Sequence, residues 1–280
     1  MRTFHGTLLG IAALILLSTG LGVVSEAGEL SPEPHPGVPL THDFLVLTGG
    51  FNRVASSGDG GITSLDWVHL TRSGKTYTAG AEAHSVGDSR WAFLTFGSTL
   101  LKMDRFQLQI RGSFGGGNAD GENFSYQSYE ATVSYKTTQQ FYLTLDEQYL
   151  KIGDAHGLLI KPGTTIFIRP WLRAELSFSQ SVGGNVQTQL GSGRLDVDAR
   201  AVGLFGGIAG GHTSPEIVRV EFGSETPGQS LKEAYLGFRL RLREIEWTVV
   251  ADFPDLATNR QQIITVGLKL PLRRNRRDSQ

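Results

Sequence analysis

Glu82, His84 and Ser85 lie within four consecutive positions, and Asp154 and His156 form a second acid–base pair further along. A hydroxyl becomes a nucleophile only beside a base that a third group orients. These five residues are therefore the material from which a hydrolase or acyltransferase would be assembled. Their spacing enforces no such assembly, and GxSxG, HExxH, GxxxxGK[ST] and GxGxxG are all absent. The seven histidines, at 5, 35, 42, 69, 84, 156 and 212, show no metal-ligand spacing, and there is no cysteine. Neither a metal nor a cofactor is called for. Net charge is -1, with 26 Lys and Arg against 27 Asp and Glu, which lacks the basic excess of a nucleic-acid surface.

The more systematic chemistry is an alternation. Arg105, Gln107, Gln109 and Arg111 interleave with Phe106, Leu108, Ile110 and Gly112, so a strand here has one oily and one wet face. Leu172, Ala174, Leu176 and Phe178 interleave with Arg173, Glu175, Ser177 and Ser179. Ala234, Leu236, Phe238, Leu240 and Leu242 face away from Glu233, Tyr235, Arg239 and Arg241. Weaker copies run through residues 76–85, 125–135, 141–149, 247–253 and 262–272, and two more strands are expected near 193–202 and 203–212. The polar parities carry both charge signs, as the wall of a wetted or ion-paired lumen would. The expected lumen-lining residues are Arg105, Gln107, Gln109, Arg111, Glu130, Asp146, Arg173, Glu175, Arg239, Arg241 and Glu246. An Arg241–Glu246 contact is expected across the hairpin that turns near residues 242–245.

Runs of about nine to eleven residues match a tilted strand crossing a bilayer and exceed the usual strand of a soluble sandwich. The elements that must position these side chains are thus those of an all-β, antiparallel transmembrane β-barrel of about 12–14 strands, with 36 glycines suiting strands and turns. Ahead of it, one cation, an apolar run over residues 7–24 and Ser25-Glu26-Ala27 make residues 1–27 a cleaved signal peptide. Residues 28–42, with Pro32, Pro34, Pro36 and Pro39, form an extended periplasmic leader. The barrel is expected over residues 43–272, and Arg273, Arg274, Arg276 and Arg277 place a basic tail, 273–280, in the periplasm.

Long Gly-rich loops are expected at residues 54–61, 115–123 and 180–193, alternating with short turns, and a further loop near 213–230 with a short β-piece at 216–222. Tyr77, Phe106, Tyr135, Phe141, Trp171 and Trp247 fall beside the short turns, as a periplasmic aromatic girdle would. The closing stretch has a polar Thr265, Gly267 two positions on, then Leu270 and Leu272. That pattern resembles the signal read by barrel-assembly machineries, which implies such a partner beside outer-membrane lipid.

Residues 43–272, with their Gly and aromatic rhythm as in Phe205-Gly206-Gly207-Ile208-Ala209-Gly210-Gly211 and the closing Thr265-Val266-Gly267-Leu268-Lys269-Leu270-Pro271-Leu272, resemble the YaiO-type outer-membrane β-barrels of Gram-negative bacteria. The resemblance implies an outer-membrane location and a role at the cell surface or in exopolysaccharide export. Three functions are open: a channel or export barrel for small solutes or polysaccharide, a non-conducting barrel acting through external loops, and a lipid-modifying enzyme. Residues support the enzyme least.

Overall fold

The computed structural model describes residues 42–54, 58–119, 122–185, 188–199, 201–213, 230–253 and 261–272. Expectations for 1–27, for nearly all of the leader, for 216–222 and for 273–280 lie outside these residues. Fourteen strands close into one antiparallel barrel: β1 (His42–Val54), β2 (Gly58–Leu70), β3 (Thr76–Val86), β4 (Ser89–Lys102), β5 (Phe106–Ala119), β6 (Glu122–Lys136), β7 (Phe141–Ile152), β8 (Ala155–Arg169), β9 (Leu172–Gly184), β10 (Thr188–Ala199), β11 (Val202–Thr213), β12 (Ser230–Leu242), β13 (Ile245–Phe253) and β14 (Gln261–Leu272). Each strand pairs with its sequence neighbours, and β14 pairs with β1 from Asp43↔Leu272 to Val54↔Gln261. Closure satisfies the backbone groups that an open edge would leave bare in hydrocarbon.

Burial follows the expected parity. Ile110, Leu176, Leu236 and Phe238 are exposed on the outer surface, Ile110 at 42% and Leu176 at 56%. Their sequence neighbours Arg111, Glu175 and Arg239 are only partly exposed, and Gly237 is buried. With polar side chains inside and apolar ones outside, the driving force for burying the outer face must come from lipid. Tyr77, Tyr135, Trp171 and Trp247 are exposed near the rim where β1 starts and β14 ends, joined by Trp67, which stacks on His69 at 5.7 Å. A second aromatic row crosses β5, β6 and β7 nearer the opposite rim, through Phe114–Tyr129 at 5.4 Å and Tyr129–Tyr149 at 6.3 Å. The two rows bracket an apolar band.

One expectation fails, and for a physical reason. The segments read as long loops at 54–61, 115–123 and 180–193 are mostly strand, leaving connections of only 55–57, 120–121 and 185–187. Their glycines signal close packing inside the barrel. Gly115 and Gly117 pair with Phe93 and Trp91, and a Cβ on Gly115 would stand 2.7 Å from the Phe93 ring. An alternation of long and short connections is therefore absent over most of the circumference, although β11 ends at Thr213 and β12 begins only at Ser230. Tight two-residue turns occur at this rim too: Gly87 and Gly153 open them at φ 55°, a left-handed conformation that glycine adopts without steric cost.

Candidate functional site: the barrel interior

The interior divides into three zones. Nearest the rim with both chain ends, β9 to β13 carry an ion-pair ladder. Arg173 reaches Glu175 at 3.2 Å and Asp196 at 3.3 Å, while Arg194 donates to both Asp196 oxygens at 2.6 and 2.7 Å. Asp198 takes Arg239 at 3.6 Å and Arg241 at 3.4 Å; Glu246 takes Arg239 at 3.5 Å and Arg241 at 2.8 Å. The Arg241–Glu246 contact and the register Arg241↔Glu246, Arg239↔Thr248 follow the inward parity of the hairpin. Four arginines here meet four carboxylates, and Lys269 on β14 stands opposite Glu246, so the ladder is close to neutral with one cation in excess. Planar guanidinium groups suit such shared pairing, because each presents several donors in a rigid fork.

Phe205 on β11 is the pivot of this wall. Its ring lies between the guanidinium carbons of Arg194 at 4.6 Å and Arg239 at 5.6 Å. The ring covers Gly237 on β12, where a Cβ would come within 2.3 Å of it. No simple sequence signal marks Phe205 as inward, because its segment is apolar and small on both parities.

Midway along the strands lies a second zone. Arg111 stands opposite Glu130, and Asp146 opposite Lys161, on adjacent strands. Arg111 also acts electrostatically on Asp66, and Lys161 reaches toward Glu233 from the facing wall. Lys161 is exposed, although on the same parity of its strand Leu159 is buried and Gly163 half-buried. An open recess between β3 and β6 is lined by Thr78, Thr99, Gln109, Arg111, Glu130 and Thr132. Gln109 donates to Thr99 at 3.5 Å, and Gln107 is partly exposed opposite Lys102. Arg105 is different from the other ten expected lumen residues. It lies in the turn between β4 and β5, exposed at the rim, where its carbonyl accepts the Lys136 N–H.

A third zone fills the half toward the opposite rim. Ile62, Trp91, Phe93, Phe124, Tyr126, Leu150, Ile152 and Leu159 are buried on the inward parity of β2 to β8, with Phe93 and Tyr126 rings 4.5 Å apart. Facing them, β11 offers small Gly207, Ala209 and Gly211. Sequence reading missed this layer. In Trp91-Ala92-Phe93-Leu94-Thr95-Phe96 both parities are apolar, so period two leaves no contrast to read.

The candidate catalytic residues do not converge. His84 bonds Glu82 and stacks on Trp91 at 5.3 Å inside the barrel. Ser85, one position on, lies on the outer parity and accepts the Gly61 N–H at 3.2 Å. Asp154 sits in a turn, and His156 is exposed on the outer parity of β8. A strand sends successive side chains to opposite faces, so His84 and Ser85 cannot meet. Among the described residues no group of three or more His, Asp or Glu is placed to hold a metal ion.

No family model and no curated protein matches the chain. Solved structures do. A deletion mutant of the monoaromatic hydrocarbon channel TodX superposes with a TM-score of 0.55 at 9% identity, covering 86% of this chain and 90% of that one. The outer membrane protein Omp33 of Acinetobacter baumannii gives 0.53 at 8% identity, over 84% of this chain and 100% of that one. The Pseudomonas putida toluene transporter TodX gives 0.52 at 8% identity, over 84% and 89%. At such identities the likeness establishes the fold: a closed antiparallel barrel of the kind found in outer-membrane proteins.

Proposed function

We propose that this chain is an outer-membrane channel of Gram-negative type that passes small hydrophilic solutes through its lumen, with the apolar third zone as its narrowest, gating layer. The observation that carries the reading is the partial exposure of the charged mid-lumen side chains, Lys161 above all, within a closed barrel. A barrel filled solely for stability would bury those groups in mutual pairs, because unpaired charge away from water is costly. Gln107, Gln109, Arg111, Glu130, Asp146, Arg173, Glu175, Arg239, Arg241 and Glu246 line this passage, and Arg105 stands at its mouth. Export as a precursor with residues 1–27 as signal, kinship with YaiO-type barrels, and delivery to assembly machinery through Thr265, Gly267, Leu270 and Leu272 belong to the same proposal. A polysaccharide is the alternative cargo.

Purified barrel in planar bilayers tests it. Single-channel conductance is expected in the wild type, and Trp91→Ala with Phe93→Ala should raise it several-fold by emptying the apolar layer. Silence in both proteins would overturn the channel. The buried apolar layer itself favours the second reading, a non-conducting barrel.

A further inference from the structure

Above the ladder, the balance of charge changes. Midway along the strands the inward carboxylates are Asp66, Glu82, Glu130, Asp146, Glu233 and Asp252, and the inward cations near them among the described residues are Arg111, Lys161 and, closer to the ladder on the rung of Asp66, Lys269, with His84 bonded to Glu82. Asp252 stands out within this belt. The residue is 2% exposed, on the inward parity of β13, and its carboxylate takes a backbone hydrogen bond at Phe253 but none from another side chain. Tyr235 is its cross-strand partner, and Glu233, two positions on along the same inward face of β12, is close enough to feel its charge. Lys161 approaches Glu233 from β8 but is shared with Glu130 and Asp146. A buried carboxylate is ordinarily matched by a cation or by donors.

We infer that Glu233 and Asp252 form a cation site in the lumen wall and that, through it and the surrounding belt, the barrel prefers cationic to anionic solutes. The ligand is a positive group held by two carboxylates, either a hydrated metal ion or an ammonium. With only two protein carboxylates, most of a metal's coordination stays with water, and holding is weak. Weak, repeated holding is what transit requires, since a group bound tightly would not leave. Rims of carboxylates are a recognised means of attracting cations into pores. The selectivity part of this inference rests on the channel reading; the binding part does not.

Tyr235 makes the site observable. The full mature barrel, folded in detergent, is titrated with terbium(III) and excited in the tyrosine band. Saturable terbium luminescence is expected, falling at least five-fold in Glu233→Gln/Asp252→Asn and in Tyr235→Phe. Equal luminescence in wild type and the double variant, or no saturable signal, overturns the site. Heat-modifiable gel mobility verifies that each variant is folded, and should the double variant not fold, Glu233→Gln alone carries the comparison. Displacement by calcium but not cadaverine assigns a metal ion; displacement by cadaverine assigns an ammonium. In bilayers under a potassium chloride gradient, the reversal potential should have the cation-selective sign and move toward zero in the double variant. An anion-selective sign overturns the preference while leaving the channel intact, whereas absent conductance with intact terbium binding removes the channel and supports the site.

Discussion

A single residue tests the division of faces. Ile110 and Gln109 are neighbours on β5, the first exposed on the outer surface, the second lining the interior recess. Ile110→Arg is expected to cost about 2–4 kcal/mol if it lies near the bilayer midplane, while Gln109→Arg should cost well under that. Reversible unfolding from lipid vesicles in denaturant measures both, and equal costs would mean that the outer surface does not meet lipid. Arg241 and Glu246 test the ladder in turn. They touch at 2.8 Å but remain partly exposed, and each has a second partner. A double-mutant cycle should therefore return a coupling of at most about 1 kcal/mol, weaker in high salt. A coupling of several kcal/mol would mean a dry ladder and would argue against a wetted lumen.

At the scale of strands, small residues decide how the walls pack. Gly237 on β12 leaves room for the Phe205 ring of β11, which two arginines flank. Gly237→Val should destabilise the barrel by about 1–3 kcal/mol through overpacking, and adding Phe205→Ala should recover most of that loss. If the second substitution only adds to the first, the two strands are not coupled through this contact. The hairpin of β12 and β13 was legible from alternation alone, because Leu236, Phe238 and Leu240 contrast sharply with Arg239, Arg241 and Glu246. The far ends of β5, β6, β9 and β10 were not. Gly115-Gly116-Gly117 has the composition of a loop, and only the neighbouring Phe93 and Trp91 explain why it is a strand.

The whole molecule is held by closure. Removing β14 would strip pairing from both β1 and β13, leaving two rows of bare backbone groups that lipid cannot satisfy. Deleting residues 261–280 should therefore abolish the heat-modifiable folded band on gels, whereas deleting 273–280 alone should preserve it. Survival of the band in the longer deletion would mean that the barrel closes another way. By itself, the sequence determined the class of fold, the outward and inward parity of most strands, the aromatic girdle and the Arg241–Glu246 contact. Each of these depends on period two and on nearest neighbours in a hairpin, which are local in the chain. Only the tertiary structure decided that there are fourteen strands, that Arg105 leaves the wall for a turn, that Trp91, Phe93 and Tyr126 pack into an apolar layer, and that Glu233 and Asp252 share one patch near Lys161. The apolar layer joins strands that are not neighbours, the approach of Lys161 to Glu233 comes from β8, and Arg105 lies outside the wall because β5 begins only at Phe106; a pattern along one strand carries no information about the wall opposite.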